Sequence, residues 1–161
     1  MTPATSMGPL ARLWSFGERS ITTLEHLQPA AQLFARIYVA LVFFRSGLTK
    51  LRDFETTVAL FTDEYHVPLL DPTVAAIAGT TGELVLPVLL ALGLAGRFAA
   101  AGLSVVNLIA VISLAEIGEA ALQGHVFWGS LLAALLLWGP GRWSLDRWAV
   151  PALRQRLLGS H

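Results

Sequence analysis

Apolar and polar positions fall in long blocks along this chain rather than in narrow helical stripes. Four blocks are almost wholly apolar, at about 31–51, 73–94, 98–118 and 122–139. A helix rises 1.5 Å per residue, so roughly 20 such residues cross the hydrocarbon core of a bilayer. The first three blocks reach that length, and the fourth does so if its helix begins nearer Ala120. The pattern predicts an all-α protein, a four-transmembrane-helix bundle with short amphipathic helices at the termini. It divides the chain into an N-terminal cytoplasmic or interfacial segment over 1–30, a bundle over 31–141 and an amphipathic cytoplasmic tail over 142–161.

The connections differ in character. Residues 1–30 are mixed, with no apolar run behind the first arginine, so no cleaved signal peptide is expected. Within them "SITTLEHL" fits a short helix at the membrane surface, or a tail packed on the bundle or partly disordered. "RDFETTVALFTDEYHVPLLDP" is the single long loop, acidic and aromatic, ending at a proline helix start. After the last block, "GPGRWSLDRWAVPALRQRLLGSH" reads as a Gly/Pro turn, then Ser144 as the cap of an amphipathic helix. There Trp143, Trp148, Leu153 and Leu157 suit the interface, while Arg147, Arg154 and Arg156 suit headgroups.

Composition agrees. Hydrophobic residues make up 55% of the 161 and charged residues 14%, against about 25% charged in soluble domains. Formal net charge is zero, so nothing points to nucleic acid. The chain has no cysteine, which rules out a disulfide, a thiolate-held iron–sulfur cluster and electron relay through its own thiols. Arg12, Arg19, Arg36, Arg97, Arg142, Arg147, Arg154 and Arg156 fall toward one side, and Arg45, Lys50 and Arg52 toward the other. The positive-inside rule then predicts both termini in the cytoplasm, with the acidic loop outside.

Ionisable residues inside apolar blocks carry the chemistry, because a charge at a helix centre costs about 2.5–3.5 kcal/mol on insertion scales. Arg45 either turns inward or snorkels to headgroups. Glu83 lies near mid-bilayer and is too short to snorkel. It reads as an ion-pair partner of Arg45, as a ligand-facing or proton-carrying carboxylate, or as a protonated packed side chain. Pro87, four residues later, lacks the N–H that would bond the Glu83 carbonyl. Asn107 is either interhelical glue or a ligand contact. His125, with Trp128 one turn on and Glu116 and Glu119 nearby, is a proton carrier or an interfacial polar residue. Arg45 and Lys50 are expected to face a polar pocket, with Glu83 paired to Arg45. His66 is the sole outer-side partner for a haem histidine, and no pair has zinc spacing, so no metal is expected.

Arg36, Ala40, Phe43, Gly47 and Lys50 place an arginine, a small residue, an aromatic, a glycine and a lysine on the first helix. Glu83 leads through "LVLPVLLALGLAGR" to a Gly-Leu turn, and "GPGRWSLD" closes the bundle at 139–146. In these motifs, over about 31–148, the chain resembles the DoxX family of small four-helix membrane proteins. Alanine stands at position 40 where that family often has glycine. The resemblance implies the fold, a bacterial cytoplasmic (inner) membrane and an association with membrane redox complexes.

Three functions follow as expectations. A redox-associated subunit would bind quinone or another lipid-like ligand between the helices. Arg45 and Lys50 would donate hydrogen bonds, and Glu83 and His125 would pass protons. Electrons would come from a membrane or peripheral redox partner protein, making the chain an accessory subunit. A non-enzymatic scaffold would use the same charges only to fix helix register. A small proton-coupled transporter would use Glu83 beside the proline break, and would need a homo-oligomer because four helices show no inverted repeat.

Overall fold

The computed structural model describes residues 8–158. The first seven residues of the expected 1–30 segment and the last three of the 142–161 tail lie outside the described residues, as do the side chains of Arg12, Arg19 and Leu157. Among the described residues the chain forms six helices and one isolated bridge.

The first helix, α1, runs without interruption from Pro9 to Arg52, 44 residues. The expected short surface helix at "SITTLEHL" is therefore one stretch of α1, continuous through Pro29. At 1.5 Å per residue, α1 is about 66 Å long, twice the thickness of a hydrocarbon core. Its second half packs in the bundle, and its first half is almost entirely exposed.

Helix α2, Phe54–Asp63, occupies half of the segment read as loop. Asp53 starts it, accepting from the Thr56 N–H at 3.0 Å and the Thr56 hydroxyl at 2.7 Å. Helix α3, Pro72–Leu92, opens as expected. Asp71 accepts from the N–H groups of Thr73 and Val74, and Pro72 takes the first helical position. Helix α4 runs Gly96–Ile112 and α5 runs Glu119–Trp138. Helix α6 is Asp146–Leu158. Ser144 does not act as its cap. Its hydroxyl instead donates to the Gly141 carbonyl inside the preceding turn.

α1 packs along α3, α3 along α4, α4 along α5, and α5 returns to α1. These four helices close a bundle. Its core joins Val39 and Phe43 of α1, Leu90 of α3, Ala99, Ala100 and Leu103 of α4, and Leu132 and Leu135 of α5. The outside is apolar, with Ile77, Val85, Phe98, Val105, Leu108, Val126 and Leu137 all exposed. Arg36, Glu83 and Asn107 lie buried inside while large aliphatic side chains cover the outside, the arrangement of a protein solvated by lipid.

α1, α3 and α5 are long and apolar enough to cross a membrane. α4 has 17 residues, about 26 Å, and is the shorter apolar helix. The block expected to extend to residue 118 stops as helix at Ile112 because its end bonds elsewhere. The Ser113 carbonyl accepts from the His66 N–H at 2.8 Å, and Tyr65 and Leu114 form an antiparallel bridge. That bridge ties the α2–α3 connection across the end of α4.

Candidate functional site

Lys50 and Glu83 form the ion pair at the centre of the site. The Lys50 ammonium donates to both Glu83 oxygens, at 2.5 and 2.6 Å, and also to the Ser46 hydroxyl at 3.3 Å. Helix geometry explains why lysine makes this contact. Gly47 of α1 crosses α3 directly over Glu83. Lys50 is three residues later on the same face, and helical side chains tilt toward the N-terminus, so its chain leans back to the Glu83 level. Arg45, two residues before Gly47, is rotated about 200° away and is exposed. The expected Arg45–Glu83 pair does not form. Axial depth placed the two at similar levels, but the face of α1 decides the partner.

Glu83 belongs to a buried α3 stripe of Ala76, Thr80, Glu83 and Pro87, spaced at helical intervals. Its side chain is 6% exposed and that of Lys50 is 23%. Beside the pair is a cavity of about 170 Å³. Lys50 and Glu83 form its polar part, and Val106, Ile109 and Ala110 of α4 supply apolar wall. Phe61 of α2 and Tyr65, Val67 and Leu70 of the connection cover it. The Ser113 hydroxyl lines this cavity, is buried and has no hydrogen-bond partner. Buried hydroxyls nearly always find one, so this oxygen is an unsatisfied donor and acceptor at the edge of the cavity. Phe61 and Tyr65 stack obliquely with centroids 5.0 Å apart. Burial, then the charges of Glu64 and Glu83, raise the Tyr65 phenol above its ordinary pKa.

Asn107, His125 and Trp128 form a second cluster, between α4 and α5. The Asn107 amide nitrogen donates to the His125 carbonyl at 3.0 Å, and its oxygen meets His125 Nδ1 at 2.8 Å. The first bond fixes which end of the amide is oxygen. That oxygen only accepts, so Nδ1 carries the proton and Nε2 is the accepting nitrogen. The His125 ring sits edge-on to Trp128 at 5.1 Å, and Trp128 meets Phe43 at 6.1 Å. Asn107 thus bridges two helices. Glu116 and Glu119, expected beside His125, are exposed, and the histidine's polar contacts run to Asn107 instead. The imidazole lies within electrostatic reach of Glu83 and Lys50.

Of the six residues singled out by sequence, Lys50 and Glu83 line the cavity, Asn107, His125 and Trp128 form the neighbouring cluster, and Arg45 joins neither. Ser113 and Tyr65 were missed. Ser113 continues the stripe Val106, Ile109, Ala110, and a polar residue closing an apolar stripe is a readable signal. Among the described residues, no group of three or more His, Cys, Asp or Glu side chains could hold a metal ion.

Arg36, at the opposite end of the bundle, was also underrated. It is 1% exposed. It donates to the carbonyls of Pro140 at 2.5 Å, Trp143 at 2.9 Å and Ala91 at 3.0 Å. One guanidinium thereby joins α1 to the end of α3 and to the turn after α5.

The family model for DoxX matches residues 31–116. The chain belongs to the DoxX family. No curated protein and no solved structure matches it. Parts of all three motifs of this DoxX protein meet in space at the Arg36 end. Gly93 adopts φ +66°, and a Cβ there would lie 2.5 Å from the Ser144 Cβ, so only glycine lets the two turns touch. Asp146 accepts from the N–H groups of Ala95 and Gly96 at 2.7 and 2.8 Å, capping α4 from a distance. The Asp146 N–H in turn donates to the Gly93 carbonyl at 2.9 Å. "GLAGR", "GPGRWSLD" and Arg36 are therefore one structural joint. Gly47, Lys50 and Glu83 form the site at the other end.

Proposed function

We propose that this DoxX-family membrane protein binds a small amphipathic ligand of the quinone type in the cavity beside Lys50 and Glu83, as an accessory subunit of a membrane oxidoreductase. The observation that carries the reading is a largely apolar cavity bordered by the Lys50–Glu83 ion pair, with Ser113, whose buried hydroxyl has no partner, also on its lining. A pocket of about 170 Å³ resembles in size an engineered cavity of about 150 Å³ that admits benzene, so a single carbonyl-bearing ring fits. Ala78 and Leu70, both exposed at the lining, leave a way out for an apolar tail.

The chain's own residues have defined tasks in this reading. Lys50 and Ser113 donate hydrogen bonds to ring oxygens, the Glu83 carboxylate holds the Lys50 ammonium in place, and Phe61 and Tyr65 exclude water. A bound quinone would supply the redox chemistry, and electrons would come from a partner protein, because the chain has no cysteine to relay them. In this reading the bundle spans a bacterial inner membrane, with α4 as a fourth crossing. Its length lies at the lower limit for a span, and it is tightly joined to α3. Both termini are then cytoplasmic by the arginine distribution.

The test is to purify the full chain in mild detergent, extract it with organic solvent and identify the copurifying molecules by mass spectrometry. A quinone or similar ring compound is expected at near-stoichiometric yield. It should be lost from Ser113→Val and Lys50→Met proteins that keep their helical circular dichroism. Retention of the same molecule by both variants would refute the site.

One observation favours a scaffold as second reading. The first half of α1 carries exposed Leu10, Trp14, Phe16, Ile21 and Leu24 well beyond the bundle. A scaffold copurifies with no ring compound and loses its partner when that half is altered.

A further inference from the structure

A second recess lies at the Arg36 end, remote from the cavity, where α3 turns into α4 and α5 turns into α6. It is a shallow depression of about 550 Å³, with Arg97, Arg142 and Arg147 on its lining. Three cations here face one carboxylate, Asp146, and both oxygens of that carboxylate already accept from the α4 N–H groups. Arg97 donates to the Leu137 carbonyl at 3.2 Å, which holds its guanidinium at the rim. Arg142 and Arg147 are exposed, and among the described residues their guanidinium groups have no hydrogen-bond or ion-pair partner.

The depth of this recess is set by its neighbours. Trp138 ends α5 and Arg97 is the second residue of α4, so both mark the edge of the apolar blocks. Trp138, Trp143 and Trp148 are all exposed, as expected of side chains at the membrane–water interface. Phe98 and Val150 add apolar surface to the same lining. Cations at headgroup level, beside apolar surface at acyl-chain level, match an anionic phospholipid end to end.

We propose that Arg97, Arg142 and Arg147 form a binding site for the phosphate of an anionic phospholipid headgroup, seated at the joint that holds α1, α3, α4 and α6 together. The lipid completes the charge of a joint whose own carboxylate is already committed to the α4 N-terminus.

The full-length protein is placed in nanodiscs of phosphatidylcholine with a minor share of phosphatidylglycerol, then released into detergent and weighed by native mass spectrometry. Phosphatidylglycerol is expected to remain bound in preference to phosphatidylcholine. Retention should fall roughly fivefold for Arg142→Gln, and by about the same factor again when Arg147→Gln is added. Arg45→Gln, an exposed arginine elsewhere, should leave retention unchanged, and excess inorganic phosphate should not displace the lipid. Equal loss with Arg45→Gln would mean unspecific charge attraction and overturn the site. Displacement by inorganic phosphate would make it a site for free phosphate and overturn the lipid assignment. Equal retention of phosphatidylcholine would overturn both.

Discussion

Gly47 of α1 and Glu83 of α3 are in direct contact. A Cβ added to Gly47 would lie 3.0 Å from the Glu83 Cβ and 3.1 Å from the Glu83 carbonyl carbon. The glycine brings two backbones together at the level of an intramembrane carboxylate, and Lys50 neutralises that carboxylate from one turn away.

Gly47→Ala must therefore push α1 from α3, because backbone and a Cβ cannot rotate aside. Overpacking of this kind costs about 1–3 kcal/mol. The expected result is a lower thermal midpoint in detergent and weaker retention of any cavity ligand. Gly17→Ala is the control, since a Cβ at Gly17 meets nothing within 4 Å. It should be neutral or slightly stabilising through helix propensity. Equal behaviour of the two variants would mean that α1 and α3 do not touch at Gly47.

Removing one charge of the Lys50–Glu83 pair should cost more than removing both. Breaking a buried pair typically costs about 3–5 kcal/mol, whereas apolar replacement of the pair is often neutral. The two single losses should also differ. Lys50→Met strands a carboxylate that is 6% exposed, while Glu83→Gln leaves an ammonium that is 23% exposed and on a longer stem. The expected order of stability is wild type near the double variant, then Glu83→Gln, then Lys50→Met, read from unfolding in mixed detergent. A strictly additive double variant would show that the pair carries no coupling.

Arg36→Lys should behave as a severe change despite conserving charge. A guanidinium reaches the three carbonyls of Ala91, Pro140 and Trp143 at once, and an ammonium on a flexible stem does not match that fork. Hydrogen bonds to charged groups are worth about 1.5–3 kcal/mol each, so losing even one or two is measurable. The expected signs are a lower thermal midpoint and faster proteolysis within 139–146. An unchanged cleavage rate would separate Arg36 from the docking of that turn.

The sequence disclosed what lipid solvation dictates and concealed what depends on azimuth and distant contact. Apolar blocks mark the bundle helices because a spanning segment must be apolar all round. The places of Glu83 midway along α3 and of Asn107 within α4 followed from counting residues. The partner of Glu83 did not, because Arg45 and Lys50 are distinguished by helix face, and that face is set by where Gly47 meets α3. The signal was present in Gly47 and its spacing to Lys50. Helix α2 was hidden by its ten-residue length and its acidic ends, although Asp53 and Thr56 form a readable start. The end of α4 was not legible locally, since Ser113 leaves the helix to bond His66, far away along the chain.

Tyr65 offers a test of the cavity's cover that reads in pH. Burial and the nearby Glu64 and Glu83 charges hold its phenol above the ordinary value of about 10. The folded state thus keeps this proton longer than the unfolded chain does. The resulting stabilisation is fully present below pH of about 10 and is lost as pH rises through the folded value. The protein has two tyrosines, so a Tyr38→Phe background isolates Tyr65 in ultraviolet phenolate absorbance. Its midpoint should exceed that of free tyrosine, and Tyr65→Phe should lose less stability between neutral and strongly alkaline pH. Titration at the ordinary value would show the phenol freely solvated, with the connection between α2 and α3 lifted off the Lys50–Glu83 cavity.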